Sequence, residues 1–232
     1  MAKLSPSLIK FQGTLMGVTI VNSKRYGKHA RAARGTYTPI IINDELQQSK
    51  ERLLNSNKPA QLIFNAVRDL HKDGGLWPDL LSVFRKQLKE DNGFSFKGLV
   101  KLECSKTHKL DTLLNRQFTI DAVRADGMLD VTVNLLRHPK WVKKPYLDGY
   151  QLSVVAVYPD FSEDTVSKAT AKTPLILFKD ALEPLHFQLP MPSPDAPWIL
   201  FMGVNACRKD EVYDLPQHKG MAVVKVSELR LV

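Results

Sequence analysis

An α+β fold is predicted for this chain of 232 residues from three observations. The opening is punctuated by glycine and rich in Thr, Val and Ile. The apolar period then becomes helical, and near residue 95 it changes from 3.6 to 2. Beyond that change come seven or eight short strand-like segments separated by Pro, Gly and Asp turns, with no helix-length period between them. The expected layout is an N-terminal β-hairpin and helical hairpin over residues 1–94, followed by an antiparallel sandwich over 95–232.

Residues 11–22, FQGTLMGVTIVN, predict a strand or hairpin bending at Gly13 and Gly17. The basic stretch SKRYGKHARAARG lacks apolar periodicity and is expected as an extended arm or long loop. TYTPIII returns to β character, with Pro39 disfavouring a central strand. Asn43 is a helix cap followed by Asp44 and Glu45, where the helix dipole favours negative charge, and Leu46, Leu53 and Leu54 are expected as that helix's apolar stripe. Asn57-Lys58-Pro59 signals a second start, after which Leu62, Ile63, Ala66, Val67 and Leu70 recur at steps of three and four. Gly74-Gly75 ends this helix. A third helix carries Leu80, Leu81, Phe84 and Leu88 to about Glu90, and the second and third should form an antiparallel pair.

In the second half, Phe118, Ile120 and Ala122 alternate with polar residues, as do Leu129, Val131, Val133 and Leu135 after a turn at Ala125-Asp126-Gly127, which predicts a hairpin. Further strands are expected at Gly98–Cys104, Tyr150–Tyr158, Thr173–Phe178, Leu185–Leu189, Trp198–Cys207 and Met221–Val226. Their number and spacing point to an immunoglobulin-like or fibronectin-like sandwich, although the Cys…Trp…Cys spacing of antibody domains is absent. The Pro-rich LPMPSPDAPW at 189–198 is expected as a stiff connection between strands.

Charge is the most informative functional feature. Of 33 Lys and Arg, seven precede the first acidic residue, Asp44, and removing them leaves 26 against 24 Asp and Glu, so the formal +9 is nearly all N-terminal. Lys24, Arg25, Lys28, Arg31 and Arg34, interleaved with Tyr26 and His29, form the candidate binding site. They could neutralise phosphates and stack bases, or meet an acidic protein surface, or simply pair with carboxylates and water.

Catalytic and ligand motifs are not found. There is no G-x-S-x-G elbow, no phosphate-cradling glycine loop and no cysteine-protease signature. His29, His71, His108, His138, His186 and His218 are scattered, and Cys104 with His108, or Cys207 with His218, forms no paired metal motif. No cofactor, metal or small-molecule substrate is expected, and the two cysteines are expected to be reduced. The longest apolar run, Trp198–Val204, is far short of the roughly 20 residues of a membrane helix, and no secretory pattern opens the chain, so synthesis for the cytoplasm is expected, with a larger particle as one destination.

The segments RYGKHARAARGTYTP, LQQSKER and LWPDLLSVFR, with the β-rich tail, resemble uncharacterised protein families of Bacteroidota genomes, some of them phage-associated small structural proteins. The resemblance implies no catalytic residues. It implies a binding or assembly role, and the missing catalytic motifs together with the charge asymmetry lead to the expectation of a non-enzymatic structural or assembly protein acting through a protein partner or self-assembly. Sequence-independent nucleic-acid binding through residues 24–34 is the alternative.

Overall fold

The structure, a computed structural model, describes residues 2–3, 13–23, 27–32, 43–70, 75–90, 94–144, 146–209, 211–213, 215–228 and 230–231. Contacts divide the chain into two compact units, Met1–Gln47 and Gln48–Val232.

In the first unit, β1 (Ala2–Lys3), β2 (Gly13–Leu15), β3 (Val18–Ser23) and β4 (Gly27–Ala32) form an antiparallel sheet in the order β1-β4-β3-β2. Met16 and Gly17 at the β2–β3 turn have φ of 47° and 77°, the paired left-handed conformation that matches strand twist in a two-residue hairpin. The expected bend at Gly17 is therefore a hairpin turn. The arm expected over the basic stretch is in part a strand, because residues 27–32 pair with Val18–Ser23 through the backbone, which a charged side-chain pattern does not prevent.

Helix α1 (Asp44–Val67) is capped as expected, with the Leu46 amide donating to Asn43 Oδ1 at 2.9 Å. The two helices expected on either side of Asn57 are one. Pro59 lies inside α1 with its side chain buried, and only its own missing amide interrupts the backbone ladder. The stripe expected to be core is not: Leu46, Leu53 and Leu54 are all exposed, and none of residues 44–55 is buried. Burial begins at Ser56 and continues with Pro59, Ala60, Ile63, Ala66 and Val67. Helix α2 (Leu76–Glu90) buries Leu76, Leu80 and Phe84, and Phe64 meets Trp77 edge-on at 5.6 Å.

After α2 come β5 (Phe94–Ser95), a 3₁₀ turn at Phe96–Leu99 and α3 (Leu110–Leu113). The strand expected at Gly98–Cys104 is thus replaced by that turn, with one bridge between Glu103 and Ala222. The remaining strands are β6 (Phe118–Ala125), β7 (Met128–Leu135), β8 (Gly149–Asp160), β9 (Thr165–Lys172), β10 (Ile176–Leu177), β11 (Leu185–Pro190), β12 (Ile199–Arg208), β13 (Glu211–Val212), β14 (Lys219–Val226) and β15 (Arg230–Leu231). β15 pairs with β5. The expected β6–β7 hairpin is present, its turn made by Asp126 and Gly127 at φ of 48° and 75°. Strand β9 lies outside the expected strands, because it is mostly polar and offers only the small Ala169 and Ala171 to one core and the half-buried Val166 to the other.

Two antiparallel sheets result. One is curled, with β8 and β12 at its centre, β9 and β10 on the far side of β8, and β14 and β13 on the far side of β12. The other has the order β11-β7-β6. β11 lies beside β9 and β6 beside β14, so the sheets approach at both edges, where Lys225 Nζ reaches Asp121 Oδ1 at 3.4 Å.

Because side chains alternate along a strand, the curled sheet serves two cores. Leu152, Val154 and Ala156 of β8, with Leu200, Met202 and Val204 of β12, face the three-stranded sheet. Val155, Val157, Ile199 and Phe201 face the opposite way, onto Ile63, Leu80, Phe84, Phe96 and Leu99. A bulge where the β12–β14 register shifts beside Leu200 and Phe201 returns Val226 to the helix-facing side with Val223. The helices expected with residues 1–94 therefore share a core with strands expected in 95–232. Two-sided burial also accounts for Trp198–Val204 reading as a continuous apolar run. Among the described residues no helix is long and apolar enough to cross a membrane.

All three tryptophans, Trp77, Trp141 and Trp198, lie in the second unit, so their fluorescence reports its unfolding. In urea, Phe201→Ala, which empties a site with no solvent exposure, should cost about 3–5 kcal/mol. Leu136→Ala, at a position 66% exposed, should change stability by less than about 0.5 kcal/mol.

Candidate functional site

The basic segment is brought only partly into view. Lys24, Arg25, Tyr26 and Arg34 lie outside the described residues. Lys28, His29 and Arg31 fall on β4, where their backbones pair with Asn22, Val21 and Thr19. His29 and Arg31 are two residues apart and so share a face of the strand, with His29 buried and Arg31 exposed. A buried His29 is unsuited to stacking on a base, so of the described pair only Arg31 is displayed.

The sandwich gathers two groups of titratable and aromatic side chains. In the first, His138 Nε2 lies 3.2 Å from the Asp180 carbonyl and Nδ1 lies 3.2 Å from the Tyr150 hydroxyl. A carbonyl can only accept, so Nε2 carries the proton, and in the neutral ring Nδ1 accepts from Tyr150. Phe178 stacks on Tyr150 at 5.8 Å and closes the group. Tyr150 has no solvent exposure. Burial, reinforced by the Asp180 carboxylate, drives its phenol far above the ordinary value, so it is a fixed hydrogen-bond donor and no nucleophile.

The second group surrounds His218, which is 3% exposed. Tyr213, Tyr146 and Trp141 approach its ring at centroid distances of 5.1, 5.8 and 6.2 Å. Its Nε2 is 3.2 Å from Tyr146 Oη, whereas buried Nδ1 has no hydrogen-bond partner among the described residues. Burial first, then the Lys144 and His108 charges, depress its pKa. The sequence offered no signal for either group, since the bonded residues are 12 and 72 positions apart.

A cleft of about 800 Å³ opens where the β8–β9 turn meets the Pro-rich connection, lined by Tyr158, Phe161, Val166, Pro192 and Pro197, with Asp160 and Asp195 among its polar groups. Arg124 holds that connection, donating to the carbonyls of Pro194 at 3.3 Å and Ala196 at 3.1 Å. Behind it the buried Tyr158 hydroxyl has no partner and is pushed up to about 12 by desolvation. Asp160 is held below its usual range by hydrogen bonds from Ser162 and from the Ser162 and Glu163 amides. Neither Cys104 nor Cys207 forms a disulfide, both are buried, and burial raises the Cys207 thiol. Among the described residues no three His, Cys, Asp or Glu gather as a metal site. These arrangements hold protons and fix loops.

No protein-family model, curated protein or solved structure matches the chain.

The depressed His218 pKa carries a sign for stability. The unfolded chain takes up this proton more readily than the fold, so the contribution is complete above the unfolded value of about 6.5 and declines as pH falls below it. Urea titrations at pH 7.5 and 5.0 should show wild type losing more stability at acid pH than His218→Phe; equal losses would mean that His218 does not titrate in the fold's disfavour.

Proposed function

We propose that the protein is a non-enzymatic assembly protein that associates with further copies of itself as a subunit of a larger particle. The observation that supports this is the first half of α1. Residues 44–55 bury nothing, yet Leu53 and Leu54 are 43% and 60% exposed and Leu46 is 48% exposed. A helical segment of about three turns is marginal on its own in water, and covering its leucines against another surface would stabilise both. Synthesis in the cytoplasm belongs to the same proposal.

We also propose that Phe118–Val226 is an immunoglobulin-like sandwich of the fibronectin kind. What supports it is strand order. Taking β6, β7, β8, β9, β11, β12 and β14 as A, B, C, C′, E, F and G gives A-B-E facing C′-C-F-G. Such sandwiches present rigid surfaces to partners, which suits the same role.

Sequence-independent nucleic-acid binding is the second reading, favoured by the exposed Arg31 within a unit that carries seven Lys and Arg against Asp44 and Glu45. Size exclusion with light scattering at about 50 and 500 mM salt, with absorbance at 260 and 280 nm, separates the two. The expected result is a defined oligomer free of nucleic acid at both salts, which Leu53→Glu/Leu54→Glu converts to folded monomer. A wild-type monomer that carries nucleic acid at low salt and sheds it at high salt would overturn self-assembly in favour of the second reading.

A further inference from the structure

The helix-facing side of the curled sheet changes character along its strands. Where α1 and α2 lie, it presents Val155, Val157, Phe201 and Val223. Past the end of α1 the same face continues as Ser153 on β8, Gly203 and Asn205 on β12, Thr170 and Lys172 on β9, and Lys219 on β14, all of which line a pocket of about 200 Å³ that opens to solvent. These residues are in register. Lys172, Ser153 and Gly203 stand directly opposite one another across three strands, and Asn205 stands opposite Lys219 in the next row. Four different strands thus deliver hydroxyl, amide and ammonium groups to one place.

Two further observations mark the pocket as built. A Cβ at Gly203 would lie 2.7 Å from Ser153 Oγ, so glycine is what leaves that hydroxyl its room at the pocket floor. The half-buried Ser153 and Asn205 side chains have no hydrogen-bond or ion-pair partner among the described residues, and neither do the exposed Thr170 and Lys172, whereas Lys168 donates to the Ala66 carbonyl at the end of α1. Asp69 and Leu70 form the rim on the helix side.

We infer that this pocket binds a compact oxyanion, a phosphate or a carboxylate, with the Lys172 ammonium group carrying the charge and the Ser153 hydroxyl and Asn205 amide donating hydrogen bonds. The size admits roughly ten non-hydrogen atoms, below the usual range for cofactors. The inference is independent of the proposed assembly role.

The test is amide NMR of the full chain, titrated separately with inorganic phosphate and with malonate at ionic strength fixed by chloride. Saturable shifts are expected at Ser153, Gly203, Asn205 and Gly220, and the anion that produces them identifies the class. Lys172→Gln should weaken binding about tenfold, as loss of a charge-assisted hydrogen bond does, whereas Lys86→Gln, the same charge change on α2, should leave it unaltered. Ser153→Ala, which removes no charge, should weaken it as well and serves if Lys172→Gln does not fold. Shifts that never saturate, shifts confined to residues before 48, or equal affinity in wild type, Lys172→Gln and Ser153→Ala would overturn the inference.

Discussion

Two-sided burial of the β8–β12 pair is the constraint on which the second unit depends. The two strands pair from Gly149 to Val157 against Cys207 to Ile199 without a break in register. Even-numbered side chains supply one core and odd-numbered ones the other, so a slip of one residue would exchange both sets at once. Each fully buried aliphatic or aromatic side chain contributes about 1.5–3 kcal/mol, and here two such layers share one hydrogen-bonded wall. The helices and the three-stranded sheet are each held by opposite sides of that wall.

Polar residues at the ends of this wall follow the same logic. At one end, Trp198 and Ser227 exchange hydrogen bonds, the Ser227 amide reaching the Trp198 carbonyl at 2.9 Å and Ser227 Oγ accepting from the Trp198 amide at 3.1 Å, which ties the start of β12 to the end of β14. At the other end Tyr150 donates to His138, and the Thr173 hydroxyl accepts from the Leu152 amide at 3.0 Å where β9 has ended. Among the described residues the helix-facing side has no such closure beyond α1. There the apolar row gives way to Ser153, Gly203 and Asn205, which would be poor core residues and are well suited to a polar ligand.

Much of this was legible locally. The cap at Asn43, the α2 stripe, the Asp126-Gly127 hairpin and the change of period near residue 95 are short-range signals, and the fold obeys them. What escaped was whatever depends on partners distant in sequence. Pro59 looks like a helix start until its buried packing keeps α1 continuous, and the Leu46, Leu53 and Leu54 stripe looks like core although all three side chains are exposed. β9 reads as polar loop because only Ala169, Ala171 and Val166 face inward. The His138 and His218 groups, and the in-register row through Ser153, Gly203 and Lys172, exist only once four strands are aligned. Of the basic segment, the sequence located the charge but not that residues 27–32 are a strand, nor that His29 is buried.

Native-state hydrogen exchange tests the two-sided wall most directly. If β8 and β12 are the shared support of both cores, the amides of Val154–Val157 and Phe201–Val204 should exchange only through global unfolding, with protection equal to the urea-derived stability and above that of α1, α2 and β6. Subglobal exchange of β8 and β12 while the helices or the three-stranded sheet stay protected would contradict it.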